Sequence, residues 1–225
     1  MAVDYEIIVQ GNNLRLQNGF LGLANATLIT CDSGPILFDV GHYCNRSTLL
    51  NNLKKRGMKP SDIKLVFLSH LHFDHCNNVD LFPHAKVLVS AKEWAYVDAP
   101  HKEDLYIPWM IKEQLKKHDV TLIDGEHEIT KGVSYFPAPG HTPGSFGVQL
   151  DTEENGCVVL AGDSLKYPKE AITGECDMAF GTTESGTNTI SRILKTADRI
   201  VPGHFPEPVS YTHLRAHETD SYLVC

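Results

Sequence analysis

Four side chains that commonly bind metal ions follow one another directly after an apolar segment of the sequence. Residues Lys64–Leu68 predict a buried strand, and the chain then reads Ser-His-Leu-His-Phe-Asp-His as far as His75. In an extended segment alternate side chains point the same way, so His70 and His72 can reach one ion. Asp74 and His75 can turn toward a second ion close by. A single histidine is usually a core or surface residue, but four ligand-type residues at this spacing predict a metal site.

Three further motifs place ligand-type side chains after predicted strands. His141 lies in Pro-Gly-His-Thr-Pro-Gly, Asp163 in Ala-Gly-Asp-Ser and His204 in Val-Pro-Gly-His. Loops at strand ends can present their side chains to a shared cleft. Each motif alone is weak evidence, because Pro-Gly-His is more often a turn and Gly-Asp more often a cap. Together they complete the ligand count that two ions need.

Apolar, β-branched segments recur along the chain, and helical stretches lie between several of them. A helix predicted over Asn45–Arg56 begins at a capping Asn, has leucines at 3–4 spacing and ends before Gly57. Further helices are predicted over Ala91–Val97, Pro108–Lys117 and Glu184–Thr196. The remaining predicted strands are Tyr5–Val9, Ala26–Cys31, Ile36–Asp39, Lys86–Val89, Thr121–Ile123, Ser134–Phe136, Gly147–Leu150, Cys157–Leu160 and Arg199–Val201. This order predicts an α/β fold in which two sheets pack face to face with helices outside.

The last part of the chain differs from the rest. From Val209 it reads Val-Ser-Tyr-Thr-His-Leu-Arg-Ala-His-Glu-Thr, which resembles the conceptual translation of a sequencing adapter. We therefore expect one domain over residues 1–208 and a non-native tail over 209–225, in which His213 and His217 have no function. The alternative is a genuine terminal helix.

Composition narrows the class of protein. A formal net charge of −8 disfavours a general nucleic-acid binder, although two bound dications would add positive charge at a cleft. No apolar run approaches the roughly 20 residues of a membrane span. Residues Met1–Glu6 lack the layout of a secretory signal, so a cytoplasmic location is expected. Six cysteines without a C-x-x-C pair predict free thiols.

These motifs together resemble those of the metallo-β-lactamase superfamily, and the match runs from about Ala24 to His204. The resemblance implies an αββα sandwich of two mixed sheets, with a metal site along one edge of the sheets. It implies two sets of ligands for two divalent ions and one bridging residue: His70, His72 and His141; Asp74, His75 and His204; and Asp163. The ions would most simply be Zn, with Mn, Fe or Co as alternatives. Asp39, in Phe-Asp-Val-Gly, would orient the His motif, or else be an ordinary turn aspartate.

The mechanism follows from this ligand set. Two close dications would lower the pKa of a bridging water, so a metal-bridging hydroxide would be expected at neutral pH without a dedicated base. The same ions polarise the bond to be cleaved. Asp163, as the bridge, and Asp74 are the predicted catalytic residues, and Asp74 would also carry a proton to the leaving group.

The substrate is less specifically encoded. Ser69–His75 and Gly140–Gly144 are similar to the same motifs of N-acyl-homoserine lactonases, which favours a lactone or carboxylic ester. Two departures are the short stretch between Asp39 and His70, and Lys166 where those lactonases have a Tyr. The compact layout also resembles short members related to metallo-β-lactamase domain-containing protein 1, a group to which ribonuclease activity is attributed.

Several functions therefore stay open. The alternatives to a lactone or ester hydrolase are a phosphodiesterase or ribonuclease, a glyoxalase II-like thioesterase, and a non-catalytic metal-binding protein. We expect a small-molecule substrate and no membrane association. A nucleic-acid partner is disfavoured by the charge but stays open with the ribonuclease alternative, and the sequence predicts no particular oligomeric state.

Candidate substrate residues follow two of the motifs. Lys166 would anchor a carboxylate or phosphate or contact an oxyanion, unless it is a solvated surface lysine. Tyr167 comes next, and His42 and Tyr43 would line the mouth of the cleft. A group of aromatic residues would form either a lid over the site or part of the core: Trp94, Tyr96, Tyr106 and Trp109.

Overall fold

The strands and helices of this computed structural model were assigned over residues 2–207, which are the residues that the structure describes. In chain order the strands are β1 (Asp4–Val9), β2 (Arg15–Leu16), β3 (Gly19–Phe20), β4 (Ala26–Thr30), β5 (Ile36–Phe38), β6 (Leu65–Phe67), β7 (Lys86–Ser90), β8 (Asp119–Ile123), β9 (His127–Thr130), β10 (Val133–Pro137), β11 (Phe146–Thr152), β12 (Gly156–Gly162) and β13 (Arg199–Pro202). The helices are α1 (Arg46–Lys55), α2 (Phe73–Cys76), α3 (Ala91–Tyr96), α4 (Ile111–Leu115), α5 (Pro168–Thr173) and α6 (Thr183–Thr196). Short 3₁₀ turns cover Tyr43–Asn45, Pro60–Asp62, Val79–Leu81 and Asp163–Leu165.

The strands form two mixed sheets and a small hairpin. Within residues 2–207, one sheet has the order β1-β4-β5-β6-β7-β8 and the other β13-β12-β11-β10-β9, while β2 pairs only with β3. In the first sheet β5 to β8 are parallel, and β1 and β4 run antiparallel to their neighbours. In the second sheet the pairing of β12 with β13 is parallel and the other pairings are antiparallel. The predicted α/β sandwich of two mixed sheets is confirmed.

Alternating side chains of each strand contact different layers of the sandwich. In β6, Phe67 packs between the two sheets, whereas Val66 packs toward α1 against Leu49 and Leu53. Successive side chains of a strand point to opposite faces, so a strand covered on both sides is apolar throughout. This explains why these strands read as continuous apolar runs. The second sheet packs in the same way against Ile190 and Ile193 of α6.

Loops at one edge of the sandwich are joined by main-chain hydrogen bonds that cross between the sheets. Phe146 N donates to Ser69 O at 2.9 Å, and Asn25 N donates to Gly203 O at 2.7 Å. The ligand motifs follow the ends of β6, β10, β12 and β13, so the two sheets bring them to the same edge.

Two helix predictions are corrected by the structure. Asn45 precedes α1 but its side chain does not cap the helix, since its Oδ1 accepts from Asn78 Nδ2 at 3.3 Å. The helix predicted over Pro108–Lys117 is shorter, because Met110 has a left-handed conformation with φ of 66° and α4 begins only at Ile111. Five short elements of the structure were not predicted from the sequence: β2, β3, β9, α2 and α5.

Three further expectations concerned membrane-spanning helices, the cysteines and the C-terminal tail. No helix among residues 2–207 has both the length and the apolar character that crossing a bilayer requires. The cysteines of the described part are free thiols. The predicted boundary at 208 and the tail over 209–225 lie outside the described residues.

Replacing Gly140 with Ala is expected to destabilise the protein strongly. Gly140 has φ of 147°, and a Cβ there would lie 2.4 Å from the Gly186 Cα atom of α6. Conformational strain and overlap together should cost roughly 2–5 kcal/mol of the free energy of unfolding in urea. The matched control is Gly57→Ala, where φ is 71° but no atom lies within 4 Å of the added Cβ. Equal losses in the two variants would show that the contact with α6 does not matter.

Candidate metal centre

Three groups of buried side chains meet at the joined edge of the sheets, with ligand atoms inside each group within 4.8 Å of one another. The groups are His70, His72 and His141; His70, His75 and Asp163; and Asp74, His75 and His204. The first and last groups are the two ligand sets expected from the sequence.

The Asp163 carboxylate lies between these two sets. Its Oδ2 is 3.3 Å from His141 Nε2, and its Oδ1 is 3.2 Å from His75 Nε2 and 3.3 Å from His204 Nε2. Gly203 makes this approach feasible, because a Cβ there would lie 2.2 Å from Asp163 Oδ1. The Asp163 carboxylate therefore lies close to histidines of both groups.

Backbone carbonyls fix two of the imidazole rings from behind. His141 donates from Nδ1 to Met178 O at 2.8 Å, and His204 donates from Nδ1 to Asn12 O at 2.9 Å. A carbonyl can only accept, so in both rings Nδ1 carries the proton. A neutral ring then presents a lone pair on Nε2.

Asp39 and Ser69 fix two more rings. His75 donates from Nδ1 to Asp39 Oδ2 at 2.7 Å, and Asp39 also accepts from Ser69 N and Ser69 Oγ, each at 2.8 Å. Because the Ser69 hydroxyl proton is used by Asp39, the contact of 3.0 Å between Ser69 Oγ and His70 Nδ1 is donated by the ring. His70 and His75 therefore also turn Nε2 inward. Asp39 itself has φ of 58°, a conformation that Asp tolerates better than most residues.

The fifth ring is held by a residue that the sequence analysis did not single out. His72 donates from Nε2 to Asp104 Oδ2 at 3.0 Å, so it presents Nδ1 to the centre. Nδ1 of His72 lies 3.0 Å from Nε2 of His141. Both inner nitrogens carry lone pairs in the neutral rings, so a proton or a cation must lie between them.

Several inward atoms have no hydrogen-bond partner although they are buried: His70 Nε2, His75 Nε2, His204 Nε2 and Asp163 Oδ1. Some of them lie within about 3.3 Å of one another, but not in hydrogen-bonding alignment. Unsatisfied buried polar atoms are rare and cost about 1–3 kcal/mol each, so several in one place need an explanation. Divalent cations, which accept lone pairs from nitrogen and carboxylate oxygen, fit this donor set.

The family model of the Metallo-beta-lactamase superfamily matches residues 19–204, which is most of the chain. The chain belongs to the metallo-β-lactamase superfamily. It is 30% identical to an N-acyl homoserine lactonase of Bacillus thuringiensis over 182 residues, which are 80% of this chain and 67% of the lactonase. It is also 30% identical to metallo-β-lactamase domain-containing protein 1 of Xenopus laevis over 182 residues, 79% of this chain and 70% of that protein.

Solved structures agree with this membership. The crystal structure of a quorum-quenching N-acyl homoserine lactone lactonase superposes with a TM-score of 0.70 at 26% identity, covering 91% of this chain and 92% of the lactonase. The protein is accordingly a metal-dependent hydrolase of the metallo-β-lactamase superfamily.

The pKa values of His70 and of Asp163 favour cation binding at this site. Burial, with neighbouring His75 and His72, holds the pKa of His70 well below its usual range. Burial alone would raise the pKa of the Asp163 carboxyl, but His204 and Lys166 hold it well below its usual range. The pKa of His75 lies well above its usual range, since Asp163 and Asp39 outweigh the effect of burial. Ionised carboxylates are ready to bind a cation, and a proton on His75 would leave when an ion binds.

A narrow cavity opens onto these ligands. Four side chains form its apolar part, and three polar ones lie between them: Phe20, Phe73, Tyr106 and Met178; His72, Asp74 and Lys166. Lys166 is only 7% exposed, and its Nζ lies 2.7 Å from Asp163 Oδ2. It is therefore a buried ammonium in the cleft and not a solvated surface lysine.

The other candidate substrate residues are placed differently. The half-buried His42 has its ring 5.1 Å from that of Phe73, which lines the cavity. Tyr43 is 50% exposed beneath Arg46, and Tyr167 donates its hydroxyl to Asp177. The structure thus does not bring these two tyrosines into the cavity.

The four aromatic residues expected to form a lid or part of the core lie in different places. Trp94 packs against the core, Tyr96 donates to Asp104, Tyr106 lines the cavity and Trp109 is 92% exposed.

Glu93 connects two of the ligand loops and was missed from the sequence. Its carboxylate accepts from Leu71 N at 3.0 Å and from Thr142 Oγ1 at 2.7 Å. The pattern Ser90-x-x-Glu93 at the start of α3 is typical of a capping box, in which the Glu would bond back to its own helix. Ser90 does cap α3, but the Glu93 side chain instead bonds the segments that carry His72 and His141.

Replacing Glu93 with Ala is expected to lower the free energy of unfolding by roughly 2–5 kcal/mol. The change leaves a buried main-chain N–H at Leu71 and removes the acceptor of the Thr142 hydroxyl, and each such loss costs about 1–3 kcal/mol. Urea unfolding in a chelator measures this free energy without a contribution from ions. Lys92→Ala, on the exposed side of the same helix, should change it by no more than about 0.5 kcal/mol. A Glu93→Ala protein as stable as the Lys92→Ala protein would contradict the connection.

Proposed function

We propose that the protein is a binuclear hydrolase that binds two divalent ions, most simply Zn, and cleaves a small lactone or carboxylic ester. The observation that carries the proposal is the orientation of the five histidines, each of which has one nitrogen bonded behind it and the other facing a shared centre. Such preorientation has no use in a hydrophobic core, because it leaves buried lone pairs unsatisfied.

The proposed ligands form two sets with a shared carboxylate. The first ion would be held by His70, His72 and His141, the second by Asp74, His75 and His204, and Asp163 would contact both. Asp39 is not proposed as a ligand of either ion, because its carboxylate accepts hydrogen bonds from Ser69 and His75. Asp39 acts behind the ligands and orients them.

The ions and the side chains would share the chemistry. When bound, two divalent ions lower the pKa of a coordinated water and polarise the carbonyl group of the substrate. Asp74 lines the cavity and can carry a proton to the leaving alcohol, which in a lactone is part of the same molecule. Lys166 can donate from Nζ to the negative oxygen that develops as the ring opens.

The surroundings of the site support an acyl substrate. Phe20, at the end of the β2–β3 hairpin, lines the cavity, and the same hairpin region exposes Leu14, Leu16 and Leu21 by 51–55%. An apolar wall beside a hydrolytic site suits an acyl chain. The relative from Bacillus thuringiensis, whose name specifies N-acyl homoserine lactones, supports the same substrate class.

A phosphodiester is the second candidate. The buried ammonium of Lys166 beside the ligands suits a phosphate as well as a carbonyl oxygen. The net charge of −8 argues against a long polyanion, so a small phosphodiester would be the relevant substrate.

The cytoplasmic location expected from the sequence stays a prediction, to be tested by fractionation of the source cells.

Elemental analysis of the purified chain is expected to give about two divalent ions per molecule. Asp163→Ala should lower this content and reduce kcat/KM on a lactone by at least about 10³-fold, because both ions lose a ligand. His84→Ala, at an exposed histidine, should change neither quantity. Undiminished turnover in Asp163→Ala protein that binds no ion would contradict the proposal. Assaying a lactone, an ester, a phosphodiester and a thioester with the same preparation identifies the substrate class.

Replacing Lys166 with Met is expected to lower kcat by about 10²-fold on the preferred substrate. Removal of one donor to a developing oxyanion typically costs about 10²–10³ in kcat. Lys169→Met is the matched control, since Lys169 is an exposed lysine three residues along the chain that bonds Asp177. Steady-state kinetics of fully metal-loaded proteins separates this effect from ion loss. If Lys166→Met lowers the ion content but leaves kcat per bound ion unchanged, Lys166 takes no part in the reaction.

A further inference from the structure

The carboxylate of Asp104 lies behind His72 in a fully buried position. Asp104 belongs to the loop between α3 and α4, and its side chain is 0% exposed. Its Oδ2 accepts the proton of His72 Nε2 at 3.0 Å. No described ligand atom of the metal centre is supplied by this loop, so Asp104 can act on an ion only through His72.

Three donors hold this carboxylate in place. Besides His72, the hydroxyl of Tyr96 donates to Oδ2 at 2.7 Å and the main-chain N of Tyr106 donates to Oδ1 at 3.1 Å. Asp104 is therefore a buried acceptor held by three donors, which is the kind of group that fixes a ring tautomer.

His72 is also the ring for which a fixed tautomer matters most. The other histidines of the centre present Nε2, while His72 presents Nδ1, the nitrogen next to the carbon that joins the ring to the chain. Presenting Nδ1 requires the proton to stay on Nε2. A ring with the opposite tautomer would direct an N–H at His141 Nε2, which lies 3.0 Å away, and would offer no lone pair to an ion.

We propose that Asp104 is a positioning residue that keeps the proton of His72 on Nε2 and so makes Nδ1 available to the ion shared with His70 and His141. The inference rests on the proposed metal centre. It adds a carboxylate, 32 residues along the chain from its histidine, that matches the role of Asp39 behind His75.

The same loop forms part of the cavity wall. Tyr106, two residues after Asp104, has its ring 5.5 Å from that of His72, and its carbonyl accepts from Phe73 N at 2.9 Å. The wall that contacts a substrate and the group that orients His72 are therefore parts of one short segment. A change in this segment would alter ion binding and substrate fit together.

Asp104→Asn tests the role, because Asn keeps the shape but loses the charge and can present its NH₂ group to the ring. Zn²⁺ binding is measured by competition with a chromophoric chelator, which resolves the two dissociation constants. Removal of a group that supports a ligand typically weakens metal affinity 10–100-fold. We expect a loss of that size for one ion and less than about threefold for the other. Glu103→Gln, an exposed carboxylate one residue away, is the control and should leave both constants unchanged.

A second measurement does not need any ion. Imidazole ¹⁵N NMR of the metal-free wild-type protein should show His72 with its proton on Nε2, and Asp104→Asn should show a mixture of tautomers or a proton on Nδ1. Tyr96→Phe keeps the carboxylate and removes one of its donors, so it should weaken the same ion by only a fewfold. This milder variant decides the question if Asp104→Asn does not fold.

The outcomes distinguish the inference from the proposed function. Wild-type affinities and an unchanged His72 tautomer in Asp104→Asn would overturn the role of Asp104. Equal weakening of both ions, together with a lower melting temperature of the metal-free protein, would also overturn it, because the aspartate would then only hold the loop. A wild-type protein that binds no ion would overturn the proposed function instead, while the tautomer measurement would still test Asp104.

Discussion

Each histidine of the metal centre depends on the acceptor behind it. A neutral imidazole has one proton, so the position of the acceptor decides which nitrogen is left with a lone pair. Main-chain carbonyls serve His141 and His204, and carboxylates serve His72 and His75. The arrangement of lone pairs is therefore set by groups that never contact an ion. Those groups come from loops of both sheets, which is why the centre requires the complete sandwich.

The concentration of charge at this edge is costly in the absence of ions. Asp74 and Asp163 are buried carboxylates, and burial of an uncompensated charge is expensive. The ammonium of Lys166 compensates part of it. The chain thus holds a cluster of charges that hydrophobic packing elsewhere must stabilise. Cation binding would relieve it by adding positive charge between the carboxylates.

The ligand motifs could be predicted because each follows a strand and has a distinctive composition. The two-sheet architecture could also be predicted, since the buried strands are apolar on both faces. Asp104 could not be found in this way, because it lies on an irregular loop whose sequence has no period. Glu93 was hidden by its own helix, where a capping pattern explained it without reference to the site. The β2–β3 hairpin was missed because strands of two residues show no alternation, although Phe20 at its end reaches the cavity.

The parallel pairing of β12 with β13 has a consequence for the order of events during synthesis. This pairing places Asp163 and His204 side by side, although 41 residues separate them in the chain. A nascent chain that ends before β13 already contains the His motif, His141 and Asp163, but it lacks His204 and the strand that pairs in parallel with β12. Tight ion binding at the proposed centre would then wait for β13 to pair.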